Sequence, residues 1–388
     1  MKRRVLILTA GYGEGHNAAA RALALACDQA HGPGAAHVAD IFDLAAPRLN
    51  RWVRRGYLGV INRWPGCWSA VYRWLDRSVV FPHVLRAMPR ERRVLRDLLV
   101  RESPEVICCT FPAYAFFLSQ LARRGELKVP FFNIVTDSIS INSLWWRAGA
   151  AGWFLPNEDS SDVLRHAHIP EDRLHTYGFP VPPFFSENAS VLTPPDLAAG
   201  SVPRVLYIIN SGTRTAAEMA RQLLRTTDWE ITCTVGRNET LRQELVRLAA
   251  HRRARTEILG WTNEIPRLLM THHVVISKAG GATTQEALAA RCPMIVNQIV
   301  PGQEEGNYEL LRRHGVGARA ETPDAVVREL QRAFADQGKV WQAWRAALAP
   351  ISNPDAARDI YRHVSTLPPM PPSPETRTLT LRSANASA

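Results

Sequence analysis

The stretch Ser277-Lys-Ala-Gly-Gly-Ala-Thr-Thr-Gln-Glu286 follows the apolar run His273-Val-Val-Ile276 and opens a helix over residues 282–290. Small residues at such a strand-to-helix turn let backbone N–H groups approach an anion, and the helix dipole favours the charge there. About one turn into the helix, Glu286 offers a carboxylate to a vicinal diol such as ribose. The next apolar run, Pro293-Met-Ile-Val-Asn297, predicts a strand. Its following loop, Pro301-Gly-Gln-Glu-Glu-Gly-Asn307, delivers Gln303, Glu304 and Asn307, hydroxyl-reading groups with no evident structural task. Diphosphate, ribose and a polyhydroxylated group, taken in that order, point to a nucleotide-sugar.

The alternation around this stretch extends through most of the chain. Strands are expected at residues 204–210, 230–235, 256–259, 273–277 and 294–297, with helices at 216–226, 239–250, 264–271 and 282–290. Helices at 324–335, 340–348 and 354–364 complete this half. The first third repeats the pattern, with strands at 4–10, 37–41, 105–110 and 129–136 and a first helix at 17–28. Such alternation implies parallel sheets with right-handed crossovers. A proline-rich stretch around Pro180, Pro194 and Pro203 separates the two series. The expected organisation is an α/β chain with two Rossmann-like domains facing a central cleft. Residues 1–185 are expected to form the N-terminal domain, 186–203 a Pro-rich linker, 204–365 the C-terminal nucleotide-sugar-binding domain, and 366–388 a disordered tail rich in Pro, Ser and Thr. The carboxyl ends of the strands, where such sheets bind ligands, carry residues 11–17, 110–113, 136–137 and 278–282.

At 388 residues the chain is long enough for two separate cores. Its apolar runs are strand-sized rather than membrane-spanning. The opening Val5-Leu-Ile-Leu-Thr-Ala10 is too short for a signal core and reads as a first strand. Cysteines 27, 67, 108, 109, 233 and 292 show no metal-like spacing and suit reduced thiols in a cytoplasm. The net charge of +11 is concentrated: thirteen arginines between residues 48 and 101 face only Asp76, Glu91 and Asp97.

Within that basic region, about 48–101, Leu49, Trp52, Val53, Tyr57, Val60, Ile61 and Trp64 recur at spacings of three and four, which describes one helical face. Arg48, Arg51, Arg54, Arg55 and Arg63 fill the remainder. An aromatic stripe bordered by arginines fits an interfacial helix on an anionic membrane, with Arg51, Trp52, Arg54, Arg55, Tyr57 and Trp64 as the docking side chains. The alternatives are a stripe packed on the domain core, with solvated arginines, and a nucleic-acid surface. The single amphipathic face argues against the latter.

The loop Gly11-Tyr-Gly-Glu-Gly-His-Asn-Ala-Ala-Ala-Arg21 has two readings. Gly13-x-Gly15-x-x-Ala18 after a strand, with Asp40 ending the second strand, satisfies a dinucleotide fingerprint. Alternatively the motif serves His16. At a helix N-terminus the dipole biases its imidazole toward neutrality, which suits a general base. A helix-capping or packing histidine is the plain alternative.

Gly13-Glu-Gly-His16-Asn-Ala-Ala-Ala together with Lys278-Ala-Gly-Gly, Gln285-Glu286-Ala-Leu and Gly302-Gln-Glu-Glu-Gly-Asn307 resembles the monogalactosyldiacylglycerol synthase and processive diacylglycerol beta-glucosyltransferase group of glycosyltransferase family 28. The resemblance covers roughly residues 4–350, and the two Rossmann-like halves suggest the GT-B architecture. It implies inverting transfer of a hexose from a UDP-sugar to a diacylglycerol-type hydroxyl, with no cofactor or metal required. The implied setting is cytoplasmic, peripherally on the inner face of the cell membrane. His16 matches the histidine that deprotonates or polarises the acceptor, with Gly13, Gly15 and Asn17 around it. Glu286 matches the ribose-binding glutamate, and Gly280, Gly281, Ala282 and Thr283 the diphosphate turn. Gln303 and Glu304 match the sugar-reading pair, Asn307 lies in the same motif, and Trp261 and Thr262 match the uracil loop.

Two departures stand out. Asn142 occupies a position that usually holds histidine, and asparagine exchanges no proton near pH 7. The loop Asn210-Ser211-Gly212-Thr213, expected near the donor phosphates, is poor in glycine. Asp137, at a strand end, is expected to orient His16 or the acceptor, or to serve the fold alone. Three rivals remain: transfer to another acceptor such as a polyprenyl-linked sugar, UDP-sugar epimerisation, and a non-catalytic nucleotide-sugar sensor.

Overall fold

In the computed structural model, residues 3–63, 74, 76, 78, 80–209, 214–302 and 304–367 are described. Two parallel sheets organise them. The first runs β2-β1-β3-β4-β5-β6, from β1 (Val5–Leu8), β2 (Ala36–Ala39), β3 (Val106–Cys109), β4 (Phe131–Ile134), β5 (Gly152–Phe154) and β6 (Leu174–His175). The second runs β12-β11-β10-β7-β8-β9, from β7 (Arg204–Ile208), β8 (Glu230–Thr234), β9 (Thr256–Leu259), β10 (Val274–Lys278), β11 (Met294–Gln298) and β12 (Ala318–Arg319). Each strand pairs with its neighbours in parallel.

The uninterrupted apolar strands follow from covering both faces of each sheet with helices. In β1, Leu6 and Leu8 enter one cluster with Tyr114, Phe116 and Trp145, while Val5 and Ile7 enter another with Leu23 and Cys27. In β7, Val205 and Tyr207 face one core, and Leu206 and Ile208 the other. The short strands β5, β6 and β12 escape a periodicity search because two or three residues cannot display a period.

Each sheet reverses its strand order once, between β1 and β3 and between β7 and β10. A crevice opens at the carboxyl ends of such neighbours. The loops after β1 and β10 are the two glycine turns, so topology alone brings them to the site edges. They also meet each other. The helix Glu14–His31 packs against the helix Gly281–Ala289 of the other domain, and Ala19 belongs to that domain's core. A Cβ built on Gly15 would lie 3.8 Å from the Ala282 nitrogen, and one on Gly281 would lie 3.5 Å from the Thr136 oxygen. Gly306 approaches so closely that its Cβ would overlap the Ser138 carbonyl.

The C-terminal helices require one correction. Residues 323–348 contain a break at Ala335–Gly338, with positive φ at Asp336, Gln337 and Gly338, which separates two helices as the sequence predicts. The last helix, Ala356–Thr366, does not stay with the C-terminal domain. It crosses back, and its Ile360, Tyr361 and Val364 fill the N-terminal sheet's outer core beside Leu23 and Cys27. Burying three such side chains contributes roughly 1.5–3 kcal/mol each, which decides which sheet it covers. The tail expected to be disordered lies, from residue 368 onward, outside the described residues.

Among the described residues, no helix is long and apolar enough to cross a membrane. The five described cysteines are free and buried.

Candidate active site

His16 sits in the first turn of its helix, entered through Gly13 at φ 120°, a conformation that side chains other than glycine avoid. The imidazole is buried, with the Thr136 hydroxyl 2.8 Å from Nδ1 and Phe111 edge-on at 5.1 Å. Burial pushes its pKa down to about 4, opposed only in part by a hydrogen bond with the Thr110 backbone. The ring is therefore neutral, as the sequence suggests, and burial is the main cause the structure shows. Asn17, beside it, is engaged with the Thr9 hydroxyl at 3.0 Å and holds the turn.

Asp137 does not orient His16. Its Oδ2 accepts from the Trp145 indole N–H at 2.8 Å, and Thr136 takes the orienting place. Burial raises the Asp137 carboxyl to about 6, the indole hydrogen bond opposing it. Asn142 caps a short turn by accepting from the Leu144 N–H at 3.1 Å. The position thus has a backbone task that needs no proton exchange.

Asp40, the carboxylate a bound dinucleotide would require, is already engaged. It accepts from the Gly11 N–H, the Asp43 N–H and the Tyr114 hydroxyl at 3.2, 3.1 and 2.9 Å. These bonds remove the ribose partner from the dinucleotide reading.

A groove of about 620 Å³ runs from His16 and Asp137 past Tyr12 and Phe111 to Leu49, Val53 and Val84. Its walls are apolar and its outer rim is exposed, with Leu49 and Val84 both more than half accessible. The helix Pro47–Arg63 forms one wall, which corrects the picture of its aromatic stripe. Tyr57 turns inward, donating to the Tyr12 carbonyl at 3.3 Å and stacking edge-on against its ring. The Arg54 guanidinium folds over Gly11, occupying the space a Cβ would need. Both side chains are thus only partly exposed. Trp52 is 73% exposed, and Arg51 and Arg55 are also exposed on the outer face. Trp64 lies outside the described residues.

Across the cleft, the helix Gly281–Ala289 begins at Gly280 without a side-chain cap. Its first N–H groups have no intrahelical acceptor, so they can receive an anion. Ala282 and Thr283 form its first turn. Glu286, one turn on, is partly exposed and has no protein hydrogen-bond partner among the described residues. Burial raises its pKa to about 7, lowered again in part by Arg21 of the opposing helix. Trp261 is 66% exposed on the loop after β9, and the Thr262 hydroxyl accepts from the Glu264 N–H at 3.0 Å.

Two members of the expected sugar-reading set have structural tasks after all. Glu304 is buried, 2.5 Å from the Lys278 ammonium, and its other oxygen accepts from the Val300 N–H at 2.9 Å. Asn307 donates to the Ala279 carbonyl at 3.0 Å, while its Oδ1 is buried without a partner. Ser211, Gly212 and Gln303 lie outside the described residues. Among the described residues, no group of three metal-ligating side chains is found. Sequence reasoning missed Tyr12, Phe111 and Thr136. All three lie on the strand-end segments 11–17, 110–113 and 136–137, which was the one signal the sequence carried for them.

The Monogalactosyldiacylglycerol (MGDG) synthase family pattern matches residues 16–181. Along the whole chain, the processive diacylglycerol beta-glucosyltransferase of Bacillus thuringiensis (strain Al Hakam) is 23% identical over 367 residues, covering 92% of each protein. Among solved structures, MurG from Acinetobacter baumannii superposes with a TM-score of 0.60 at 12% identity, covering 94% of this chain and all of that one. UDP-GlcNAc 2-epimerase from Neisseria meningitidis, bound to UDP-GlcNAc, gives 0.57 at 13% identity with the same coverage. The fold is GT-B, two α/β domains about a cleft. The resemblance to the MGDG synthase and processive diacylglycerol beta-glucosyltransferase group, read from the glycine loops, is borne out.

Proposed function

We propose that this chain is an inverting glycosyltransferase that moves a hexose from a UDP-sugar to the hydroxyl of a diacylglycerol-type lipid at a membrane surface. The observation that carries the reading is the apolar groove ending on a buried, neutral histidine, opposite an uncapped helix N-terminus. A groove with such walls suits acyl chains and would be idle in an epimerase, which needs only its nucleotide-sugar. The relatives named for diacylglycerol transfer support the same acceptor.

In the mechanism, the lipid hydroxyl enters beside His16 with its chains along Val53 and Val84. Neutral imidazole takes the proton as the oxygen attacks the anomeric carbon. The Thr136 hydroxyl fixes the ring during that step. Nucleophile and leaving group approach from opposite walls, so a single displacement inverts the anomeric centre. Glu286 accepts hydrogen bonds from ribose, and the N–H groups at Gly281 and Ala282 meet the departing diphosphate. Positive potential from the helix supplies what a divalent ion supplies elsewhere, so no metal or other cofactor is required. Exposed Trp52, Arg51 and Arg55 beside the groove mouth would dock the protein on an anionic leaflet, as a peripheral protein on the cytoplasmic face.

The test is incubation with labelled UDP-glucose or UDP-galactose and diacylglycerol-containing vesicles, with and without chelator. The expected product is a labelled glycolipid of inverted configuration, formed equally in both conditions. An isomerised UDP-sugar with no lipid product would establish the epimerase instead. Labelling confined to a polyprenyl-linked acceptor would reassign the substrate.

A further inference from the structure

We infer that Lys278 belongs to the donor site, as an ammonium that Glu304 holds in place to take up charge on the donor's diphosphate. The inference deepens the UDP-sugar reading and rests on it.

Lys278 is the last residue of β10, at the carboxyl edge beside the point where the second sheet reverses its order. The pairing of β10 with β11 shifts register between Ser277 and Lys278. Such irregularities re-aim a side chain near functional sites. The ammonium lies beside the glycine turn: a Cβ on Gly280 would meet Lys278 Cε at 3.4 Å and Nζ at 3.8 Å. It also lines a cavity of about 310 Å³ shared with Tyr207, Thr215 and Asn297. Among the described residues lining that cavity, Lys278 is the single cation.

The ion pair is lopsided in a way that bears on its purpose. The Glu304 side chain is 7% exposed and fixed by the Val300 N–H, whereas that of Lys278 is 31% exposed. A pair that served only to tie the 299–304 loop to the strand would gain nothing from leaving its cation open, and apolar packing does that work as well. A buried, anchored carboxylate with an accessible ammonium fits a positioned cation. Asn307 braces the same turn from the other side, donating to the Ala279 carbonyl at 3.0 Å. An ammonium placed there offsets the charge that develops on UDP as it departs, alongside the backbone N–H groups.

The experiment is calorimetric titration of the full chain with UDP and with uridine, for wild type, Lys278→Gln, Lys278→Arg and the double variant Lys278→Met/Glu304→Gln. The double variant removes both charges and strands neither. Loss of the cation is expected to weaken UDP binding by about tenfold or more, leave uridine binding unchanged, and be largely reversed by arginine. Equal weakening of UDP and uridine in both neutral variants would mark the pair as structural, and unchanged UDP affinity would remove Lys278 from the site. If wild type bound neither ligand, the UDP-sugar reading itself would fall.

Discussion

The two domains present the same local device, a strand, a glycine turn and a helix N-terminus, and use it for opposite purposes. After β1 the turn delivers a side chain: His16 is packed against Phe111, held by Thr136 and desolvated until neutral. After β10 the turn delivers backbone: Gly280 and Gly281 leave the helix start bare, with a cation beside it. The lining around each device makes the difference. Aromatic walls suppress charge on an imidazole, whereas polar neighbours and free N–H groups invite charge on a ligand. Equivalent topology therefore says where a site is, and the surrounding side chains say what it does.

The largest expected effect breaks the comparison at its catalytic side. His16→Ala should lower kcat by about 10²- to 10⁴-fold with UDP affinity preserved, as seen in steady-state assays beside calorimetry. Full turnover in that variant would remove the histidine from the chemistry. The mirror change, Glu286→Ala, should weaken UDP binding by about tenfold and leave the acceptor side intact.

Glu286 also supplies a pH signature. With its carboxyl near pH 7, it is largely protonated at pH 6 and largely ionised at pH 8. Because the carboxylate is the form that accepts ribose hydrogen bonds, UDP affinity should rise by up to about tenfold across that interval. The rise should vanish in Glu286→Gln. His16 stays neutral throughout, its pKa having been pushed down to about 4. A wild-type affinity flat in pH would show that the carboxylate does not meet the ligand.

Smaller effects sharpen the acceptor side. Val53→Asp places a charge in the groove wall and should raise the KM for lipid by about tenfold, with UDP binding unaltered. Trp52→Ala combined with Arg55→Gln should reduce partitioning onto anionic vesicles several-fold, at about 1 kcal/mol per lost basic charge. Sedimentation with vesicles would read this out, and undiminished partitioning would assign docking to another surface.

Much of this arrangement is legible in the linear chain because it is local. The apolar runs at β1, β7 and β10 announce strands buried on both faces, and the small residues after them announce turns. What escapes is decided by partners far away in sequence. Asp40 is occupied by Tyr114, 74 positions on, and Glu304 by Lys278, 26 positions back. Asp137 meets Trp145 only because a short turn at Ser143–Trp145 folds the chain back. Helical spacing groups Trp52 with Tyr57 in one stripe, but the face that lines the groove is Leu49, Val53, Tyr57 and Val60. Here the Tyr12 carbonyl and ring claim Tyr57, and Trp52 remains outside.

The returning helix Ala356–Thr366 has a mechanical meaning. The chain passes between domains twice, once near Tyr177 and Gly178 and once near Asn353, and these passages touch. Asn353 donates to the Tyr177 carbonyl at 2.5 Å, and a Cβ on Gly178 would lie 3.1 Å from that of Ala356. Two straps fastened side by side tie the lobes together at one spot, as a clasp does. Trimming the chain before residue 356 would do more than shorten it: it would unfasten one strap and uncover the N-terminal sheet in the same cut.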